Sequence, residues 1–259
     1  MAKTTEESLL NNPGGGRRFF GPYMFTFGLT DQFALDGPFR GRQCTSMALA
    51  AIIVWVQKGK PCLLTPEQLN TILVEGNRLH SRLRVDQKLS AECDGMIAVY
   101  DIPSSRYLEV GEVCGVPTKV KLAQESFPVF TTRRRDLDFP TVGEFVAAYN
   151  PRMSMGFLVT IDSFTYAIIR RVDNTVLLFD SHGHLQVLGH LLGKRAGILL
   201  CQDIHHMELV LVGMYGAMAP CDIAPVNISL PDGGLKHIQE PAGVEEQSPY
   251  ISAFWGRDD

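Results

Sequence analysis

The 259-residue sequence lacks several features that would place it in a large functional class. Its net charge is only −4 and its pI about 6.0, which argues against broad binding to a nucleic-acid backbone. Its six cysteines form no C-x-x-C pair, and no cysteine pair faces a histidine pair at zinc-finger spacing. No apolar run is long enough to cross a bilayer, and the N-terminus lacks the organisation of a secretion signal. We therefore expect no nucleic-acid partner, no membrane partner, no metal and no cofactor, and a reducing compartment in which the thiols are free.

What the sequence has is an average globular composition, with 45% apolar and 20% charged residues. This is enough for one domain of good size with tails, or for two small ones. Residues 1–18 contain NNPGGG and are predicted to be a flexible tail. From residue 219 the chain is rich in Pro and Gly, and 219–259 are predicted to be a linker or the start of the remainder of a larger chain. Residues 19–218 are the predicted folded domain.

The hydrophobic pattern changes period along the chain. An apolar run over 45–56 predicts a buried helix, and Thr65 and Pro66 predict the start of a second helix. Residues 86–140 predict short helices and irregular connections, and 140–149 a short helix. Four later segments are predicted to form strands: 157–161, 166–172, 175–179 and 196–202. A helix capped by Asp203 is predicted to follow them. This order predicts an α+β fold in which a helical first half packs on a small, mainly antiparallel sheet from the second half.

Cys44 lies at the junction between a Gly/Pro/Arg loop and the first apolar helix, within GPFRGRQCTSMALA. A free cysteine is often simply buried, but a helix N-terminus also stabilises a thiolate. A nucleophilic cysteine needs a base and a third group that orients the base. Among seven histidines, His182 lies two residues after Asp180 in LLFDSHGH, and such positions share one face of a strand. We therefore predict Cys44 as nucleophile, His182 as base and Asp180 as its orienting group.

Two other interpretations of the histidines remain open. D-x-H alone is also typical of an aspartate in an Asx turn with two exposed histidines. His182 and His184 are also candidates for a metal pair, although no third ligand suggests itself nearby. His80, near the end of the second helix, is predicted to face solvent.

An acyl-transfer site also requires hydrogen-bond donors for the oxyanion. The main-chain N–H of Cys44 is one candidate. Gln43 is adjacent to Cys44, so its side chain is expected to point away from the nucleophile. Gln32 lies twelve residues before Cys44, beyond a Gly/Pro loop that can fold back, and is the preferred second donor.

Two blocks of the sequence resemble the deubiquitinating domain at the N-terminus of herpesvirus large tegument proteins. The block TDQFALDGPFRGRQCTSMALA contains a D-Q pair, a loop of about a dozen residues, then G-x-Q-C opening a helix. The block LVTIDSFTYAIIRRVDNTVLLFDSHGH contains two strands leading to F-D-x-H. The resemblance covers residues 28–215. It departs from many relatives at Ser181, where they have proline.

The resemblance implies a papain-like ubiquitin-specific cysteine protease that hydrolyses the bond after the C-terminal glycine of ubiquitin through a thioester. It assigns the same roles to Cys44, His182, Asp180 and Gln32. It implies ubiquitin and ubiquitin conjugates as partners, with related modifiers as further candidates, and other tegument or capsid proteins through the rest of a larger chain. It also implies location in the virion tegument, host cytoplasm and host nucleus. The alternatives are a non-catalytic interaction module on a papain-like shell, or another Cys–His amide hydrolase.

Overall fold

The structure is a computed structural model and describes residues 15–20, 23–35, 39–85, 96–133, 138–150, 152–185 and 195–231. Its four α-helices are α1 Cys44–Gln57, α2 Pro66–Val85, α3 Val142–Ala148 and α4 Ile204–Tyr215. Its strands are β1 Gly16–Phe20, β2 Tyr23–Phe27, β3 Leu108–Val113, β4 Val116–Leu122, β5 Phe127–Phe130, β6 Met155–Ile161, β7 Phe164–Arg170, β8 Val176–Asp180, β9 Gly197–Cys201 and β10 Pro220–Ser229. Two short 3₁₀ turns lie at Gln32–Ala34 and Val99–Asp101.

The ten described strands form one sheet in the order β1-β2-β9-β8-β7-β6-β10-β4-β3, and β5 pairs with one end of β10. Every strand pair in it is antiparallel. Four helices on an antiparallel sheet confirm the predicted α+β class. No helix among the described residues is long and apolar enough to span a membrane.

Helices cover both faces of the central strands. Leu158 of β6 packs in the cluster that contains α1 and α2, whereas Phe157 and Val159 pack in the cluster that contains α3 and α4. Because successive residues of a strand point to opposite faces, a strand buried on both sides must be almost continuously apolar. This explains why β6 to β9 were predictable as strands.

Two glycines allow α1 to pack unusually close to its neighbours. A Cβ on Gly156 of β6 would come within 2.4 Å of Ile52 Cγ2 of α1, and a Cβ on Gly76 of α2 within 2.6 Å of Met47 Cα. Since real Cβ contacts are longer than this, a side chain at Gly156 requires Ile52 to move, and one at Gly76 requires the backbone of α1 to move. Helix α1 is therefore fixed between α2 and the sheet, and Cys44 at its first position is fixed with it.

The sheet is larger than predicted because it also takes strands from the first half of the chain. Residues 108–130 contain β3, β4 and β5, so the prediction of short helices and irregular connections was wrong there. Strands β3 and β4 are joined through Cys114 and Gly115, both with positive φ (51° and 76°). A two-residue turn of this kind is a tight hairpin, which cysteine does not signal as asparagine would.

Both predicted domain boundaries need correction where the structure describes them. Residues 16–18 belong to β1, and residues 220–229, predicted to begin a linker, form β10, an interior strand between β6 and β4. The prolines of PCDIAPVNIS hid this strand. Pro225 lacks an N–H, but its carbonyl still accepts a hydrogen bond from the Ala123 main-chain N–H at 2.8 Å. Residues 1–14 and 232–259 lie outside the described residues.

Candidate active site

Cys44 is the first residue of α1 and is buried, with 6% of its surface exposed. The preceding Gln43 occupies the N-cap position, but its side chain does not cap the helix; only its carbonyl accepts the Met47 N–H, at 2.8 Å. The first N–H groups of a helix lack partners within it and carry its positive dipole end. The thiol thus lies where a negative charge is favoured.

Asp180 ends β8 and holds the segment that follows it. Its Oδ1 accepts hydrogen bonds from the main-chain N–H of His182 at 2.7 Å and from His182 Nδ1 at 3.0 Å, and its Oδ2 accepts the Leu185 N–H at 3.0 Å. An Asx turn and an aspartate–histidine pair were alternatives on the sequence. The structure contains both, made by the same carboxylate, and His182 is buried with 1% exposure.

The Cys44 thiol and the His182 imidazole interact with each other. Burial raises the pKa of Cys44, but hydrogen bonding and charge from His182, together with hydrogen bonds from Thr165, outweigh it and lower the pKa below its usual range. Burial lowers the pKa of His182, but hydrogen bonds to Asp180 and Cys44 and the charges of both raise it to about 9. A lowered thiol pKa beside a raised imidazole pKa favours a thiolate–imidazolium pair.

His182 Nε2 is buried and forms no hydrogen bond of standard geometry within the described chain. Since Nδ1 is held by Asp180, Nε2 is the nitrogen left for the thiol. Contacts between a catalytic base and its nucleophile are often loose without substrate and tighten in the complex. The arrangement can accept a proton from a thiol and return it to a leaving group.

Gln32 lies in the first 3₁₀ turn, which Asp31 caps by accepting the Phe33 and Ala34 N–H groups. Its Oε1 accepts a hydrogen bond from Ser181 Oγ at 3.1 Å, and its main-chain N–H donates to the Ser181 carbonyl at 2.9 Å. Gln32 is therefore fastened to the residue between Asp180 and His182.

Within the described residues, the amide nitrogen of Gln32 donates only one long hydrogen bond, 3.5 Å, to the Gly41 carbonyl. The side chain of Gln43 is instead turned toward α2, where its Nε2 donates to Asn77 Oδ1 at 3.0 Å. The Gln43 side chain is thus held by α2, and the Gln32 side chain lies beside the histidine segment; the role of Gln32 as an oxyanion donor stays a prediction.

Aromatic rings enclose His182. The distance from the His182 ring centroid is 4.7 Å to the centroid of Phe164, 5.7 Å to that of Tyr166 and 6.2 Å to that of Phe33. The Phe164 ring meets His182 edge-on. The His184 ring stacks on His182 at 5.1 Å with only 9° between the planes, and His184 Nδ1 lies 2.7 Å from the Tyr166 hydroxyl. The base is therefore held by packing as well as by Asp180.

The metal interpretation fits these contacts less well. Ligand atoms of Asp180, His182 and His184 lie within 4.8 Å of one another. However, both Asp180 oxygens already accept hydrogen bonds, and the Nδ1 atoms of His182 and His184 already face Asp180 and the Tyr166 hydroxyl. The three residues therefore match an oriented base better than a metal centre.

A further histidine and two further cysteines do not join the group of Cys44, His182 and Asp180. His80 was predicted to face solvent, but it is fully buried, with Nδ1 3.2 Å from Ser46 Oγ, because its face of α2 packs against α1. Burial raises the pKa of Cys201 and Cys221 to about 12, the opposite of the shift at Cys44.

Two contributors were not identified from the sequence. Thr165 of β7 helps to lower the pKa of the Cys44 thiol, and Ser181 binds the side chain of Gln32. Thr165 carries a weak signal, since it is a small polar residue between two aromatic residues at the start of the strand FTYAIIR. In the sequence, Ser181 stands out only as a departure from relatives.

Known proteins share this fold and sequence pattern. Residues 29–223 match the family described as "Herpesvirus tegument protein, N-terminal conserved region". The structure superposes, with a TM-score of 0.64, on the ubiquitin-specific protease encoded by murine cytomegalovirus tegument protein M48, solved in complex with a ubiquitin-based suicide substrate. The two chains are 20% identical, and the match covers 84% of this chain and 90% of that one. No curated protein gives a significant sequence match.

Proposed function

Because this chain belongs to the herpesvirus tegument protein family defined by the N-terminal conserved region, we propose that it is a cysteine-type deubiquitinase. Its substrate is the bond after the C-terminal glycine of ubiquitin. The observation that carries this proposal is the buried series of Cys44, His182 and Asp180, in which the thiol pKa is lowered and the imidazole pKa is raised. The similar murine cytomegalovirus protease, solved with a ubiquitin-based substrate, supports the choice of ubiquitin.

Acylation begins with the Cys44 thiolate. Its sulfur attacks the carbonyl carbon of the terminal glycine, and the carbonyl electron pair moves onto oxygen. The Cys44 main-chain N–H and Gln32 Nε2 stabilise that oxyanion. His182 then gives its Nε2 proton to the leaving lysine amine as the carbon–nitrogen bond breaks. The product is a thioester between Cys44 and ubiquitin, with a neutral imidazole.

Deacylation uses the same groups in reverse. Neutral His182 takes a proton from a water molecule, whose oxygen attacks the thioester carbon. The tetrahedral intermediate collapses with departure of the Cys44 thiolate, which leaves the imidazolium restored and releases ubiquitin as a carboxylic acid. The acid then loses its remaining proton to solvent. Asp180 keeps Nδ1–H oriented throughout and stabilises the positive charge on the ring.

The surroundings of the site support a narrow substrate. Phe33 and Phe164 flank His182, and a tail of two glycines passes between bulky groups where larger side chains do not. We propose ubiquitin and its conjugates as partners, with related modifiers as further candidates. Other tegument or capsid proteins would be bound through the rest of a larger chain. The proposed locations are the virion tegument and the host cytoplasm and nucleus.

A ubiquitin probe with an electrophilic C-terminus tests the proposal. Wild type should form a covalent adduct, visible as a mass shift, and Cys44→Ala should not while keeping its circular dichroism spectrum. Cys62→Ala is the matched control, because Cys62 is also a free thiol but is exposed, and its adduct should form normally. A folded wild type without adduct would favour a non-catalytic module. Hydrolysis of small amides without ubiquitin labelling would favour another Cys–His hydrolase.

A further inference from the structure

Three threonine hydroxyls meet beside the nucleophile. Thr165, near the start of β7, is buried with 3% exposure. Its Oγ1 lies 3.0 Å from Thr45 Oγ1, on α1 next to Cys44, and 3.1 Å from Thr160 Oγ1, its register partner on β6. Elements distant in sequence thus converge on one hydroxyl.

Counting donors and acceptors indicates which hydroxyl of the cluster donates to which. A hydroxyl has one proton to donate and two lone pairs that accept. When Thr45 and Thr160 each donate to Thr165, both lone pairs of Thr165 are used and its proton remains available. Thr45, which binds Thr165, directly follows Cys44 in α1, and the hydroxyl and main-chain N–H of Thr165 both help to lower the pKa of the Cys44 thiol. The free proton therefore has an acceptor, the sulfur.

We propose that Thr165 is a further catalytic residue, which stabilises the Cys44 thiolate through its hydroxyl and main-chain N–H, with Thr45 and Thr160 orienting the hydroxyl. This inference rests on the proposed role of Cys44 as nucleophile. The thiolate occurs twice in the cycle, as the attacking group and as the group that departs from the thioester. Thr165 supplies donors that do not depend on the protonation state of His182, and so it assists both steps.

The test is the pH dependence of Cys44 alkylation by iodoacetamide, followed by mass spectrometry of the Cys44 peptide. One hydrogen bond to a charged group changes an equilibrium about tenfold, so Thr165→Val should lower the thiolate fraction about tenfold at acid pH. A more basic thiolate is also about threefold more reactive. The variant should therefore react about threefold slower than wild type at acid pH and about threefold faster at alkaline pH. The two rate profiles should cross.

Conservative and matched variants separate this role from a structural one. Thr165→Ser keeps the hydroxyl and should restore the wild-type profile. Thr26→Val is the control, because Thr26 is a buried threonine on β2 whose hydroxyl has no hydrogen-bond partner in the described chain, and its profile should match wild type. If Thr165→Val does not fold, Thr165→Ala is measured in its place.

A profile for Thr165→Val that coincides with wild type, or that is scaled equally at every pH, would overturn the inference. Equal scaling would indicate changed access to the thiol. The assay contains no ubiquitin, so its outcome is independent of the probe experiment. Crossing profiles without ubiquitin labelling would leave thiolate activation standing and reject the deubiquitinase.

Discussion

Replacing Asp180 by asparagine tests the site with almost no change of shape. The carboxylate accepts three hydrogen bonds, two from His182 and one from the Leu185 N–H. An amide has one accepting oxygen and no charge. Its oxygen can accept the hydrogen bonds from His182 or the one from the Leu185 N–H, but not both, because its NH₂ group then faces the remaining donor. The imidazole then loses the charge that stabilises its protonated form and the acceptor that fixes its tautomer.

The expected magnitude follows from these contacts. General-base catalysis is worth about 10²- to 10⁴-fold, and a wrongly oriented imidazole keeps only part of it. We expect Asp180→Asn to lower kcat/KM about 10²- to 10³-fold, or about 3–4 kcal/mol of transition-state stabilisation. His182→Ala should lose more, because it removes the proton acceptor itself.

The assay is kcat/KM for a ubiquitin carrying a fluorogenic C-terminal amide, measured across pH. Asp180 is the first of the groups that raise the pKa of His182 against its burial, so the alkaline limb of the variant should move to lower pH. Asp203→Asn is the control: Asp203 accepts the main-chain N–H and Nδ1 of His206, both at 2.8 Å, but caps α4 outside the site. Activity within threefold of wild type for a folded Asp180→Asn would refute the assignment.

Three further results are expected. Gln32→Ala should lower kcat about ten- to a thousandfold with little change in ubiquitin binding, and Gln43→Ala should have a smaller effect in the same assay; the reverse order would exchange their roles. Wild-type kcat/KM should fall on the alkaline side with a pKa of about 9, because above it His182 loses the proton that the leaving amine needs; a profile flat to higher pH would exclude this imidazolium as the acid. Gly76→Ala should destabilise the protein by about 1–3 kcal/mol in urea unfolding, because the new Cβ meets the backbone of α1, although alanine has the better helix propensity. Gly213→Ala, whose Cβ would have nothing within 4 Å, should stabilise the protein by up to about 1 kcal/mol, and equal effects would contradict the close packing of α1.

Local chemistry explains which parts of the fold were predictable. Helix α2 begins where the sequence indicates, because Thr65 and Gln68 form a reciprocal capping pair, with Thr65 N–H to Gln68 Oε1 at 2.7 Å and Gln68 N–H to Thr65 Oγ1 at 3.3 Å. Helix α4 is capped by Asp203 in the same local way. Strand β10 depends instead on pairing with distant segments, and Gly, Cys and Pro residues concealed the alternation in β3 to β5 and in β10.

The same distinction holds at the site. The pairing of Asp180 with His182 spans two residues, so it follows from strand geometry alone. The bond between Ser181 and Gln32 and the contact of Thr165 with Cys44 join segments more than a hundred residues apart. Such contacts depend on the register between strands that are distant in sequence, and this register cannot be read from a single sequence.

The position of β10 has a consequence for folding. This strand is last in the described chain, yet it lies between β6 and β4 and also pairs with β5. During synthesis, β6 and β4 cannot be joined in one sheet until residues 220–229 have left the ribosome, because β10 is the strand that lies between them. Long-range pairing of this kind slows folding and leaves strand edges exposed to aggregation in the meantime. A protein truncated at residue 219 should therefore be insoluble, although every proposed catalytic residue would still be present.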